Sequence, residues 1–407
     1  MDKVVDKFWG FKNWYFFVVL IFSGLATNFY RDIGGNLLLF FLTIIYAVIY
    51  KIDFKNKKLF VVIIIWLCFS IITAFRNFEF LPWFTFRHII RILICFTLIQ
   101  LYGKKLFVLF EYAVFLLACF SLVVWLLQVV FPSFVFSLFR PLNISHYSTF
   151  FENGSYFIIG GVLSQDTLLP RNYGFCWEPG PFSVYLVLAL FFNVLRYRGK
   201  WNNKIFYLLF LTLLTTQSTT GYLAFMCGSL IYVYQYYKGL LKYFVFIILA
   251  FLLVFLFYNT SFLYDKIQEL YVNGLEIDTV IRRGVKTETF YSGGRFGGFI
   301  IAWEDIKKYP LFGTGGFWGI SYGKGYVYIV NGLASIMSVY GLFGIIIFFL
   351  SLYKSSNLFA NIYNSRLNRC FLVIVLFASV GFGVVNQSIL FSFILMGWLY
   401  PLQKIRI

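Results

Sequence analysis

Leu106-Phe-Val-Leu-Phe-Glu-Tyr-Ala-Val-Phe-Leu-Leu-Ala-Cys-Phe-Ser-Leu-Val-Val-Trp-Leu-Leu-Gln-Val-Val130 carries a single charged residue, Glu111, and follows directly on Lys104-Lys105. Crossing the hydrocarbon core takes about 20 apolar residues, so this run reads as a membrane span whose cationic end stays inside. Glu111, near that end, is expected to pair with Lys104 or Lys105 in a structural role. The rest of the chain repeats the pattern. Hydrophobic residues make up 61% of the 407 positions and charged residues 12%, where a soluble domain carries about a quarter. The net charge of +18 is not gathered into one patch. Its residues recur in short clusters between apolar runs, so the bilayer is the expected partner and nucleic acid is not.

Spans are expected at about 14–30, 33–50, 59–75, 88–103, 106–130, 180–195, 205–217, 220–237, 243–258, 327–352, 370–385 and 388–402. Placing the N-terminus inside puts Lys3/Lys7/Lys12, Lys51/Lys55/Lys57/Lys58, Lys104/Lys105, Arg196/Arg198/Lys200/Lys204, Lys238/Lys242, Lys354/Arg366/Arg369 and Lys404/Arg406 on one side. The short turns near 31, 76, 218 and 386 carry far fewer cations. The expected fold is therefore an all-α polytopic membrane protein of about 12 transmembrane helices. It forms one integral membrane domain over 1–407, with both termini cytoplasmic. The first apolar run lacks an Ala-x-Ala cleavage signal and reads as a retained helix. Five cysteines lie within apolar runs and only Cys176 lies in a loop, so no disulfide is expected. CxxC and HExxH spacings are absent and His88 and His146 are far apart, so no metal site is expected.

This topology leaves two long external loops, 131–179 and 259–326. The first is rich in Phe, Tyr, Ser and Asn, and the charges of the second nearly cancel. In the second, Phe296, Phe299, Ile300, Trp303 and Ile306 recur at three- and four-residue spacings. They predict an amphipathic helix over about 294–309, stopped by Pro310 and lying apolar face down on the outer membrane surface.

The charged residues of these loops are the candidates for chemistry. Arg295 follows Gly293-Gly294 at a helix start, where backbone N–H groups, the helix dipole and a guanidinium together suit a phosphate or pyrophosphate. A solvated arginine in a flexible loop fits the same spacing. Arg171 precedes Glu178 by seven residues, and Glu178 stands immediately before Pro179 and a span. A carboxylate there is favoured by the helix N-terminus alone, so structural and catalytic roles both stand. Arg87, His88 and Arg91 enter the fourth span, with 87 and 91 on one face. Either they bind an anion in the interior, or Arg87 and His88 snorkel to the interface. Arg282 and Arg283 each have a glycine eleven residues on, a weak match. Aromatic residues such as Trp303 fit a sugar-binding groove as well as a lipid-facing belt.

Four stretches resemble the superfamily of the O-antigen polymerase (Wzy) and the O-antigen ligase (WaaL), in the family's order. Arg171-Asn-Tyr-Gly-Phe-Cys-Trp-Glu178-Pro179 resembles its "R..G...EP" run before a span. Thr216-Gln-Ser218-Thr-Thr-Gly221 resembles its "T.S..G" turn. The third is Gly294-Arg295 through Trp303 with Pro310-Leu-Phe-Gly313-Thr-Gly315. The last is Asn331-Gly-Leu333 through Tyr340-Gly341-Leu-Phe-Gly344. They cover roughly 171–344. The ligases carry a histidine just before that last asparagine, where this chain has Val330, and the departure favours polymerase over ligase.

The resemblance implies a GT-C-like architecture in the bacterial inner membrane, with the two long loops periplasmic. The implied activity is a transfer, without metal or other cofactor, between two lipid-linked glycans. The donor is a growing chain on undecaprenyl pyrophosphate and the acceptor a new repeat unit on the same lipid. A chain-length regulator protein is an implied further partner. Arg171 and Arg295 are then expected to clamp the pyrophosphate, and Glu178 to accept the acceptor's proton ahead of Glu304 and Asp305. Arg87, Arg91, Arg282, Arg283, Trp303 and Asn331 are the expected pyrophosphate- and glycan-binding residues. Transfer to lipid A–core by a ligase, and a non-enzymatic flippase for lipid-linked oligosaccharide, are the alternatives.

Overall fold

The structure is a computed structural model that describes residues 10–24, 33–139, 154–157, 160–163, 170–240, 243–248, 251, 268, 271–272 and 275–400. Helices dominate. In chain order they are α1 (Phe11–Gly24), α2 (Ile33–Ile49), α3 (Lys57–Asn77), α4 (Pro82–Tyr102), α5 (Lys105–Val130), α6 (Pro132–Phe139), α7 (Pro179–Arg196), α8 (Lys204–Thr215) and α9 (Thr219–Tyr236). They continue with α10 (Ile277–Thr287), α11 (Gly294–Lys308), α12 (Gly332–Ile362), α13 (Cys370–Gly381) and α14 (Ser388–Leu399). A short antiparallel hairpin, β1 (Gly154–Phe157) with β2 (Gly160–Leu163), lies in the first long loop. In the second, β3 (Tyr291–Ser292) pairs in parallel with β4 (Val327–Tyr328).

Helices α3, α4, α5, α7 and α12 are long and apolar enough to cross a membrane; α1, α2, α8, α13 and α14 are shorter apolar helices. Phe75 (77% exposed), Val48 (71%) and many other large apolar side chains face outward, as they do where the surrounding solvent is lipid. The chain is an all-α polytopic membrane protein. Two boundaries differ from the sequence reading. Helix α4 begins at Pro82, in the first-turn position proline prefers, so Arg87, His88 and Arg91 lie inside the helix and not at its entry. Helix α12 begins only after its cap Asn331 and runs on to Ile362. The expected ninth span is described only at 243–248 and 251.

Helix α7 is the centre of the bundle. Of its span-length window, 89% is buried, against α5, α8, α9 and α13. Its N-terminus, with Glu178, therefore opens in the middle of one end of the molecule. Gly221 lets α9 close on α7, since a Cβ there would lie 2.3 Å from that of Ser183.

Helix α12 is broken at Gly341 (φ 61°, ψ −154°). The hydrogen bonds a continuous helix would make from Leu342 to Ser338 and from Phe343 to Val339 are replaced by bonds to the segment after α11. Leu342 N–H donates to Pro310 O (2.9 Å) and Phe343 N–H to Leu311 O (3.0 Å). Thr314 N–H donates to Ser338 O (2.7 Å) and Gly315 N–H to Val339 O (2.8 Å). The N–H groups of Leu342 and Phe343 and the carbonyls of Ser338 and Val339, all freed by the break, are thus satisfied, as a low-dielectric surrounding demands. This clasp gives Pro310-Leu-Phe-Gly-Thr-Gly315 its role. A Cβ on Gly313, itself at φ +56°, would lie 2.4 Å from Ser338 O.

One expectation is corrected by packing. Glu111 pairs with neither Lys104 nor Lys105. It bonds Arg196 at the far end of α7 (2.5 Å) and accepts from Asn193 Nδ2 (2.7 Å). Helix α11 packs on α12 through Gly297, Gly298, Ile301, Ala302, Asp305 and Ile306. Of the larger apolar residues of the expected membrane-facing stripe, Phe296 and Trp303 are exposed, Phe299 and Ile300 are half-buried and Ile306 is buried. Small side chains let the helices approach closely, a face that a periodicity of bulky residues does not reveal.

Candidate active site

The stretch before α7 is pinned on three sides. Trp125 Nε1 of α5 donates to Pro170 O (2.6 Å). Asn172 Nδ2 donates to the hydroxyls of Ser121 (3.2 Å) and Thr215 (3.0 Å), and Asn172 N–H to Thr215 O (2.9 Å). Arg171, between them, is thereby aimed at the α8–α9 turn. Its Nε donates to Thr216 O (3.3 Å) and its Nη2 to Gln217 O (3.0 Å). These carbonyls close a helix C-terminus, where partners are lacking and a cation is favoured. The turn is fixed from its other side by Ser218, whose hydroxyl caps α9 at Gly221 N–H and bonds Ser183 of α7 (3.0 Å).

Arg295 reaches the same turn from the second long loop. Its Nη1 donates to the Thr220 hydroxyl (2.9 Å), and its own carbonyl accepts from Asn331 Nδ2 (3.2 Å). Asn331 caps α12 with its Oδ1 on Ala334 N–H (3.0 Å). The four stretches singled out in the sequence are therefore joined by direct hydrogen bonds. Asn331 is fully buried, so it positions Arg295 and does not face a substrate.

Glu178 completes the group. It is exposed, and as the N-cap residue of α7 it makes no side-chain capping bond to that helix. Its charge acts on both arginines. Burial lowers the Arg295 pKa below the usual arginine range, with Glu178 raising it and Arg171 lowering it further. Burial likewise lowers that of Arg171, opposed by Tyr173, Glu178 and Tyr222. Guanidinium groups stay charged under such shifts. Two partly desolvated cations and one solvent-facing carboxylate leave a net positive site at the mouth of the bundle. Cys176, close in sequence, is buried and its thiol is pushed well above its ordinary pKa, so it is not a reactive thiol.

The other expected site residues lie elsewhere. Arg91 is buried and donates to Asn386 Oδ1 (2.9 Å). With Arg87 it belongs to a second interior group, around His88 and Tyr340. His88 does not snorkel: its Nδ1 bonds Phe84 O (2.8 Å), its Nε2 bonds the Tyr340 hydroxyl (2.7 Å), and its ring stacks on Trp66. Arg282 and Arg283 are exposed on α10, a helix whose Ile277 and Ile281 pack on Ile301 and Val327. Trp303 is 57% exposed, eight residues along α11 from Arg295 or about 12 Å. Of the reserve bases, Glu304 pairs with Lys307 (2.6 Å). Asp305 is buried, accepting from the Ser321 and Ser338 hydroxyls and from Tyr322 N–H. It ties α11 to the clasp and has no remaining access. Thr220 was missed as a partner of Arg295, although it stands within the Thr216–Gly221 turn.

Residues 204–349 match a family model, Wzy_C, described as O-antigen ligase. The match supports the O-antigen polymerase/ligase superfamily. It runs from α8 into α12 and takes in the α8–α9 turn, Arg295, the clasp and Asn331, while Arg171 and Glu178 precede it. No curated protein and no solved structure matches the chain. The matched family indicates polysaccharide-related glycan transfer.

Proposed function

We propose that the chain is a surface-polysaccharide polymerase of the bacterial inner membrane, with this site at the periplasmic face. The growing glycan on undecaprenyl pyrophosphate is the donor, and the non-reducing end of a new repeat unit on the same lipid is the acceptor. An acceptor hydroxyl attacks the anomeric carbon of the donor. The new glycosidic bond forms as the bond to pyrophosphate breaks, the electron pair leaves with undecaprenyl pyrophosphate, and the hydroxyl proton passes to Glu178. The leaving group is a good one, so the protein's main tasks are to position it and offset its charge, for which paired guanidinium groups are suited. Glu178 supplies the base. A chain-length regulator protein is a further partner in this reading.

The observation that carries this reading is the meeting of Arg171 and Arg295 on one turn, at Thr216, Gln217 and Thr220, with Glu178 acting on both. Val330, where ligases carry histidine, favours the polymerase. A glycan gel on a strain lacking this protein tests the reaction type. A polymerase predicts a ladder reduced to its single-repeat band and restored by the wild-type chain. Loss of every surface repeat would overturn it in favour of a ligase or a flippase.

A further inference from the structure

Arg76 ends α3 beside the clasp. Two of its nitrogens, Nε and Nη2, are buried without a hydrogen bond. Its guanidinium sits over the ring of Tyr309, 4.7 Å from the centroid, and Lys308 Nζ lies 5.4 Å from the same centroid. The two cations are therefore within about 10 Å of each other. Among the described residues the ion pairs are Arg196–Glu111 and Lys307–Glu304, so neither cation has a carboxylate within bridging distance. Asp305, four residues before Tyr309, is enclosed by its own hydrogen bonds. On this half-buried guanidinium, two buried donors without a partner are costly unless an anion offsets them. Stacking on Tyr309 holds the guanidinium plane in place for contact with a phosphate.

Tyr309 caps the end of α11 opposite Arg295. A 15-residue helix is about 22 Å long, so the two cationic groups lie at opposite ends of a rigid spacer. Gly315 packs against Thr73 of α3, which holds the clasp beside Arg76. A transfer between two lipid-linked glycans requires such an arrangement. The donor's diphosphate leaves at the reacting centre. The acceptor reacts at its non-reducing end, so its own diphosphate lies one repeat unit away, near the same membrane surface.

We propose that Arg76, Tyr309 and Lys308 form a second anion site, which takes the lipid diphosphate of the acceptor while Arg171 and Arg295 hold that of the donor. The proposal rests on the polymerase reading above for the identity of its ligand. The bound chemistry is a lipid-borne phosphate, which bilayer phospholipid also offers.

The test uses the full chain in nanodiscs of zwitterionic lipid, with a short-chain isoprenyl diphosphate as the probe. Wild type should bind two equivalents, and Arg76→Ala and Arg295→Ala one each. Lys308→Ala, at an exposed position, should weaken the second equivalent at least threefold and leave the first unchanged. It carries the test if Arg76→Ala does not accumulate. One equivalent in wild type, lost only with Arg295→Ala, would overturn the second site and leave the polymerase reading intact. Two equivalents from a chain that makes no polymer would do the reverse. Displacement of the Arg76-dependent equivalent by anionic phospholipid at matched concentration would overturn the acceptor assignment in favour of a headgroup site.

Discussion

Arg295 is fixed through both its side chain and its backbone, by Thr220 and by Asn331. Such a residue is positioned before any ligand arrives, which is what electrostatic catalysis requires. Arg295→Ala and Arg171→Ala are each expected to slow transfer on the order of a hundredfold, with membrane levels unchanged. Glu178→Gln keeps shape and removes the base, and a loss of on the order of a hundredfold in rate is expected. Glu304→Gln should leave the rate as it is, because the ion pair with Lys307 is at the surface. A collapse in that variant, measured in the same transfer assay, would move the base to α11. Arg171, Glu178 and Arg295 were legible in the sequence because charge beside glycine or proline at the edge of an apolar run is conspicuous. Their partners were not. Thr216 and Gln217 act through backbone carbonyls, which no side chain advertises, and Arg76 gains meaning only from Tyr309, far away in the chain.

Broken helix α12 and the segment threaded into it show what hydropathy can and cannot tell. The stretch from Gly332 to Ile362 is apolar on both sides of Gly341, so its pattern predicts one uninterrupted span. The break is made by backbone hydrogen bonds to Pro310–Gly315, and the glycines are its only trace in the sequence. Gly341→Ala or Gly313→Ala places a Cβ against backbone at positive φ and should cost at least about 2 kcal/mol. The readout is the thermal midpoint of the purified protein in detergent. At the opposite end of α7, Glu111→Ala should cost about 3 kcal/mol by leaving Arg196 without its partner, a loss that the thermal midpoint also reports. Helix α4 started earlier than expected because Pro82 begins a helix well, and that moved Arg91 from the entry to the interior.

Across the whole molecule, alternating apolar runs and cationic turns defined a polytopic bundle directly from the sequence. The charge pattern already puts Arg171, Glu178 and Arg295 in external loops on one side, and the tertiary contacts add that these loops, more than a hundred residues apart, meet on the turn between α8 and α9. The central helix α7 carries Glu178 into that meeting point, and the clasp fixes the far end of α11. The central claim is that this convergence is a glycan-transfer site. Its most direct test is a transfer assay with the purified full chain in liposomes, supplied with a repeat unit linked to undecaprenyl pyrophosphate. Wild type should lengthen the glycan into a ladder, and Arg295→Ala and Arg171→Ala, folded and at equal protein, should leave the single repeat. A full ladder from both variants would contradict the account.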